Sequence, residues 1–505
     1  MAQMVTKDIS AKIRSLIGEY KISDEKYARI AYRLSHSPDT LMFDLDDFTP
    51  GAVVWPETVE DVQNVLRVAN EYEIPVVPVG GRTATADSEG IKGAITMDFT
   101  RMHTIVELNE RTMRFTAEAG TRISDCLRYV ENLGYMILEY PTMNKTSMLG
   151  ARAAMHGYNK FENRWGSSGN HIKGLEVVLP TGEALQLGRG TTYATKSVMG
   201  YNLMDLFIGS RGTLGVITKV TERIIKIPPA YHYGVMAFKS YKDGIEAYID
   251  LRRAGAHIGP IWRTKTYNKW MLKQAVEGMM GLDWPDDIEQ LTDYHILGGE
   301  TVVEATEKHA IDILKAHNGF WRDDLPPTNF LGRMHETMEK YMGMASLGTD
   351  RNIGGGLGHR IVPYDANIPD GNLVEFYSEM MDHWHRMEDP KVYPNLSKRM
   401  RVLSPGAPVP TDEGHTKFWA LGLASYTPAW SKEAREEYVD WYKKYAELCW
   451  KHGGSVTATH GYIPREIEIE ILKKELGEPY YALMQRIKDT LDPRHIMNPK
   501  VKFRF

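Results

Sequence analysis

Two adjacent glycines stand at the centre of Pro78-Val79-Gly80-Gly81-Arg82-Thr83-Ala84-Thr85, behind a short apolar run. Without Cβ atoms, glycines let successive backbone N–H groups turn toward one point and form a concave anion site. Thr83 and Thr85 add hydroxyl donors and Arg82 adds a charge, a set that suits a pyrophosphate. A tight β-turn with polar residues accounts for the same eight positions. The loop is neither G-x-G-x-x-G nor G-x-x-x-x-G-K-[ST], because both require a helix directly after the glycines. A second segment, Ser147-Met148-Leu149-Gly150-Ala151-Arg152-Ala153-Ala154, is dense in small residues. It permits close backbone approach to a flat ligand, or a small-residue helix packed on a sheet. In the third, Gly209-Ser210-Arg211-Gly212-Thr213-Leu214-Gly215-Val216-Ile217-Thr218, three glycines precede an alternating strand. Its backbone would touch a ligand, or form a plain turn.

Proton chemistry points to Thr457-Ala458-Thr459-His460-Gly461-Tyr462-Ile463-Pro464-Arg465. A histidine before a glycine can approach a ligand closely and titrates near neutrality, as a general base must. The plain alternative is a histidine satisfying a local carbonyl. Tyr140 precedes Pro141-Thr142, and Trp262-Arg263 offers a guanidinium that could hold a carboxylate or phenolate bidentately. Arg401, His415 and the glycine-rich run Gly354–Arg360 are weaker candidates; that run reads as a substrate gate before a phosphate loop.

The elements that must position these groups follow from pattern. Residues 1–50 read as a helical extension, with Ile13, Leu16 and Ile17 on one side of a short amphipathic helix. From 51 the chain reads β–α–β: the strand Gly51–Pro56, a helix capped by Thr58 with Asp61 three residues on, and the strand Ile74–Val79. Further strands, a helix ended by Gly134 and a hairpin turning at Thr181-Gly182 carry this part to Pro228-Pro229. The block 229–450 is rich in Met, Trp and Tyr, and 451–505 ends in two helices and Ile-Met-Asn-Pro. The aromatic abundance fits an aromatic pocket, a large core or an oligomer interface.

The 505 residues carry 61 Lys+Arg against 66 Asp+Glu, a net charge of -5 that argues against a nucleic-acid partner. No stretch of about 18 uncharged apolar residues is present to span a membrane. Two cysteines, Cys126 and Cys449, cannot alone build a disulfide framework or an iron–sulfur site. The start, Met1–Ser10, has no apolar signal core. The expectation is a cytoplasmic protein.

In order and context these segments resemble the FAD-binding domain of the vanillyl-alcohol oxidase / p-cresol methylhydroxylase flavoprotein family. The residues concerned are Val54-Trp-Pro-Glu-Thr-Val-Glu-Asp-Val62, Ile74–Arg82, Met97-Asp-Phe-Thr-Arg-Met102, the loop at Gly150, Gly209–Thr218 and Leu491-Asp-Pro-Arg-His-Ile-Met-Asn-Pro499. The resemblance implies an α+β fold: a two-subdomain FAD-binding domain at 51–228, and at 229–450 a cap of antiparallel sheet and helices. The segment 451–505 would return to the FAD domain. By position, Gly80, Gly81, Arg82 and Thr83 would hold the pyrophosphate. Gly150, Ala151, Gly212, Gly215 and Ile217 would line the ribityl and ring path, with Pro78, Ser147 and Asn498 completing the cofactor set. Some members link FAD to a histidine of the first loop; none occurs in 78–90, which argues against that bond here and leaves a histidine of the cap or C-terminal segment as the alternative.

For catalysis the resemblance implies His460, Tyr462, Tyr140 and Arg263. The metal-using D-2-hydroxyacid dehydrogenases carry an H-x-G-D-G-N-x-H run and a Glu before the catalytic His. Thr459 replaces that Glu, and Pro369-Asp370-Gly371-Asn372 is only a partial match, so no metal is expected. The leading expectation is oxidation of a phenolic or benzylic substrate, with hydride transfer to flavin N5 and the oxyanion held by Tyr462, Tyr140 and an arginine. The alternatives are a D-2-hydroxyacid dehydrogenase with His460 as base, and an electron-relay subunit. A small aromatic substrate, an electron-acceptor protein and a homo-oligomer are the expected partners.

Overall fold

The computed structural model describes residues 3–503, apart from 34, 36, 85, 87–89, 142, 189–198, 258, 270–284, 322–358, 412–414 and 426–429. Thr85, Thr142 and most of the 354–360 glycine run, with the Arg401 side chain, thus lie outside the described residues.

The first sheet has strand order β1-β2-β4-β3, formed by Ile22–Ser23, Ala52–Val54, Ile95–Asp98 and Val76–Val79 respectively. β2, β4 and β3 run parallel, which requires a crossover. Helix Val59–Glu71 supplies it. Its start is fixed locally: Thr58 Oγ1 accepts the Asp61 N–H at 3.1 Å and Asp61 Oδ2 accepts the Thr58 N–H at 3.1 Å. Val62, Val65, Leu66, Val68 and Ala69 form its buried stripe, each large aliphatic contributing about 1.5–3 kcal/mol. Ile9, Ile13 and Ile17 of helix Lys7–Ile17 join that core. The far edge of β3 is covered by the C-terminal segment: the Val76 N–H donates to Ile496 O at 2.8 Å, and the Asn498 N–H to Val76 O at 2.9 Å.

The second sheet has order β5-β6-β10-β8-β9, formed by Ile105–Asn109, Arg114–Glu118, Val216–Lys226, Ile172–Val178 and Ala184–Gly188, with β7 (Tyr135–Ile137) also on β10. The β8–β9 hairpin turns at Thr181-Gly182, where Gly182 holds φ 88°. Helices Ile123–Glu131 and Leu149–Met155 pack on this sheet through Cys126, Leu127, Val130, Leu149 and Ala153. Lys488 of helix Glu478–Leu491 is buried and donates to Thr213 O and Met497 O, both at 2.7 Å, and to Asp492. It ties the Gly212 loop to the C-terminal turn.

Two antiparallel three-stranded sheets follow. One has order β11-β13-β12 (Ala230–Phe238, Gln290–Gly298, Ile261–Asn268), the other β14-β16-β15 (His359–Pro369, His415–Ser425, Met400–Pro410). Helices Tyr241–His257, Glu300–Ala316, Leu373–Arg386 and Lys432–Lys451 pack against them. Tyr364, Trp384, Tyr438, Trp441, Tyr442 and Tyr445 are buried together, so much of the aromatic content of this block is core. The architecture is α+β. Among the described residues no helix is long and apolar enough to cross a membrane.

Candidate active site

A cavity of about 230 Å³ opens where the three glycine-bearing segments meet the strands of the last two sheets. Pro78, Gly80, Arg82 and Thr83 line it from the loop after β3. Ser147, Gly150 and Ala151 line it from the start of helix Leu149–Met155, and Gly212, Gly215 and Ile217 from the approach to β10. Close backbone approach sets the glycines. A Cβ on Gly81 would lie 1.8 Å from Thr146 O, and one on Gly212, at φ 70°, would lie 2.6 Å from Pro78 Cγ. Gly81 therefore stands behind the wall, holding the loop against residue 146. Asn498 is also off this wall. It lines a second, smaller cavity and donates from Nδ2 to Arg211 O at 2.9 Å.

The proton-handling candidates separate. His460 reaches the cavity, beside Thr459. Its N–H donates to Asp365 Oδ2 at 3.0 Å, and its Nδ1 stands 3.3 Å from Asp365 Oδ1. Gly461 is obligatory next to it: a Cβ there would lie 1.4 Å from Arg211 Nη2, which donates to Gly461 O at 2.6 Å. Tyr462 points away from the main cavity, buried, with its hydroxyl donating to Asp39 Oδ1 at 3.1 Å. Tyr140 packs on Phe161, ring centroids 5.4 Å apart, off the wall. Arg263 is buried and committed elsewhere: Nη2 donates to the Tyr267 hydroxyl at 2.9 Å and lies 3.5 Å from Asp293 Oδ2.

Lysines that sequence reasoning passed over take the positions expected of these groups. Lys265 and Lys417 line the cavity, 4% and 3% exposed. Lys417 Nζ donates to Thr459 Oγ1 at 2.9 Å and sits 3.7 Å from the centre of the Tyr158 ring, itself on the wall. Burial, with neighbouring Arg263, lowers Lys265 to about 7. Lys417 is also lowered by burial, with Glu162 and Asp365 opposing. Burial alone would raise Asp365, yet His460 and Lys417 hold it below the usual carboxylate range. The signal for Lys265 was the alternation Arg263-Lys265-Tyr267 along one strand, and Lys417 stands two residues from the candidate His415. Asp370, from the partial metal-motif match, pairs with buried Arg252 at 2.6 and 2.8 Å. No group of three His, Cys, Asp or Glu residues is placed to hold a metal among those described.

Residues 50–188 match the model of an FAD binding domain, and residues 414–501 that of the C-terminal domain of FAD linked oxidases. The chain is an FAD-linked oxidoreductase. The oxidoreductase is 26% identical over 456 residues to a mitochondrial D-lactate dehydrogenase [cytochrome] of Arabidopsis thaliana, covering 89% of this chain and 73% of the relative. It is 28% identical over 470 residues to a D-lactate dehydrogenase of Anaerostipes hadrus, covering 89% of each. Its fold resembles p-cresol methylhydroxylase with substrate bound, TM-score 0.77 at 16% identity over all of this chain and 98% of the other. These two sequence relatives are thus D-lactate dehydrogenases, while the likeness to p-cresol methylhydroxylase lies in the fold.

The residues that line the cavity suit FAD. Glycine backbone lines it at Gly80, Gly150, Gly212 and Gly215, and Arg82 supplies positive charge on a loop held by its donation to Ala31 O at 3.0 Å. When bound there, FAD supplies a two-electron acceptor.

Proposed function

We propose that this oxidoreductase oxidises a small D-2-hydroxy acid to the 2-oxo acid. One observation carries the reading: two buried lysines, Lys265 and Lys417, flank the same cavity wall as His460. Ammonium groups in a poorly solvated wall favour an anion, and a substrate carboxylate is the anion at hand. His460 then receives the substrate hydroxyl proton at Nε2, since Nδ1 faces Asp365. The likeness to D-lactate dehydrogenases over nearly the whole chain supports the same class. The phenolic reading has less support, because Tyr462, Tyr140 and Arg263 lie off the wall. Arg263, the guanidinium expected to hold a carboxylate, is committed to Tyr267 and Asp293, so the lysines take that role beside His460.

Anaerobic mixing of the holoenzyme with D-lactate, D-2-hydroxyglutarate and 4-hydroxybenzyl alcohol tests this. Bleaching of the flavin by a hydroxy acid is expected; bleaching by the phenol alone would refute the reading. His460→Asn should keep FAD and slow reduction by about 10²–10⁴-fold, the usual contribution of a positioned base.

A further inference from the structure

The segment that carries His460 is held by one side chain from a distant strand. Asp365, in the middle of β14, is 2% exposed. Its carbonyl accepts the Ala458 N–H at 2.7 Å, and its Oδ2 accepts the Thr459 and His460 N–H groups at 2.5 and 3.0 Å. Its other oxygen faces His460 Nδ1 at 3.3 Å, within ion-pair range though outside the angles of a formed hydrogen bond. Lys417, on the adjoining strand β16, reaches the same turn through Thr459.

We propose that Asp365 is the positioning residue of this active site, one carboxylate that orients His460 with Nε2 toward the cavity and shares with Glu162 the role of counter-charge to Lys417. The proposal rests on the hydroxy-acid reading for its consequence and on geometry for its substance. Oxidation breaks the C–H and O–H bonds of the alcohol and forms the C=O bond: the carbon-bound hydrogen would leave as hydride, with both electrons, to the bound FAD, and the hydroxyl hydrogen leaves as a proton. That proton arrives at His460 Nε2, and the imidazolium then faces a carboxylate that is already ionised. An ionised acceptor beside Nδ1 also fixes the tautomer, as only an Nδ1–H can point at it. Lys417 gains from the same charge. Its other charged neighbours are Glu162 of helix Glu162–Trp165, which helps keep it protonated, and Arg152 of helix Leu149–Met155, which opposes. Lys265 of β12 shares the cavity wall. Tyr442, Tyr445 and Cys449 of helix Lys432–Lys451 also neighbour Asp365, and burial raises all three well above their ordinary values, so they stay neutral.

The test uses the FAD-loaded enzyme and three readouts. Nitrogen-15 spectra of labelled histidine, with the His460 signal assigned by its loss in His460→Asn, should show the Nδ1–H tautomer in the wild type. Asp365→Asn should lose that preference and slow flavin reduction by D-lactate by about 10²-fold or more. Oxalate, a dianion that cannot be oxidised by this route, reports on Lys417 through its perturbation of the flavin spectrum. Its affinity should fall off at lower pH in Asp365→Asn, because Lys417 loses its proton sooner without the carboxylate. A wild-type His460 in the Nε2–H tautomer overturns the proposal whatever the variant does. A folded Asp365→Asn with wild-type reduction rate and oxalate profile overturns it too. Should Asp365→Asn fail to fold, Asp365→Glu restores the charge and must restore the tautomer. An enzyme that no hydroxy acid reduces, but whose His460 is Nδ1-protonated, counts against the hydroxy-acid reading and supports the role of Asp365.

Discussion

A lysine ammonium buried beside an arginine does not keep its solution behaviour. Lys265 is held to about 7 by burial first and then by Arg263, so it is charged below that pH and increasingly neutral above it. If it helps hold the substrate carboxylate, the apparent affinity for a D-2-hydroxy acid should weaken as pH rises through about 7. In Lys265→Met that weakening should be gone, with poorer binding at low pH, as read from substrate titrations of flavin reduction. A wild-type affinity that is flat from pH 6 to 8.5 would remove Lys265 from the substrate site. His460 was legible from sequence because its neighbours Gly461 and Thr459 mark it locally. Asp365 was not: it lies 95 residues from His460, and nothing in Tyr364-Asp365-Ala366 says which turn its carboxylate meets.

At the level of elements, locally closed devices were readable and strand faces were not. The Thr58–Asp61 capping box and the Gly182 turn depend on residues three or fewer apart. Which side of β12 and β16 faces the cavity depends on how two sheets pack, and so Lys265 and Lys417 escaped notice. The loop after β3 makes its own prediction. Gly81→Ala would set a methyl carbon 1.8 Å from Thr146 O, so the loop must move. Flavin content, from the visible-to-ultraviolet absorbance ratio, should drop sharply while secondary structure persists. β10 carries another. Glu222 is buried there and held well above its ordinary value, by burial first and then by Glu139, with Lys173 and Arg152 only partly opposing. The native state keeps this proton after the unfolded chain releases it near pH ~4.3, so stability falls as pH climbs from there toward the native value. Glu222→Gln lacks that loss. Its melting temperature should be close to wild type near pH 4.5 and progressively higher by pH 8; a constant offset would mean that Glu222 does not hold its proton.

Over the whole molecule, the first fifty residues lean on the last fifty. Tyr462 donates to Asp39, and the Arg465 guanidinium carbon lies 3.0 Å from the centre of the Phe43 ring. Arg82 of the loop after β3 donates to Ala31 O. Tyr462→Phe should therefore lower stability by about 1.5–3 kcal/mol, the scale of one hydrogen bond to a charged group, and leave the rate of flavin reduction by a hydroxy acid unchanged. Slowed reduction in a fully folded Tyr462→Phe would return the tyrosine to the chemistry and revive the phenolic reading. The sequence singled out Gly80, Gly150, Gly212 and Gly215, which line one cavity, because glycines at a close backbone approach constrain their own neighbours. It passed over Lys265 and Lys417, which reach the cavity from separate strands. The pairing of β3 with residues 496–498 carries a consequence in time. On the ribosome, at about 5–20 residues per second, Val76 emerges roughly 20–80 s before the segment that covers it. Through that interval β3 presents an unpaired apolar edge, and a growing chain in that state is a natural client for a chaperone that binds extended hydrophobic strands.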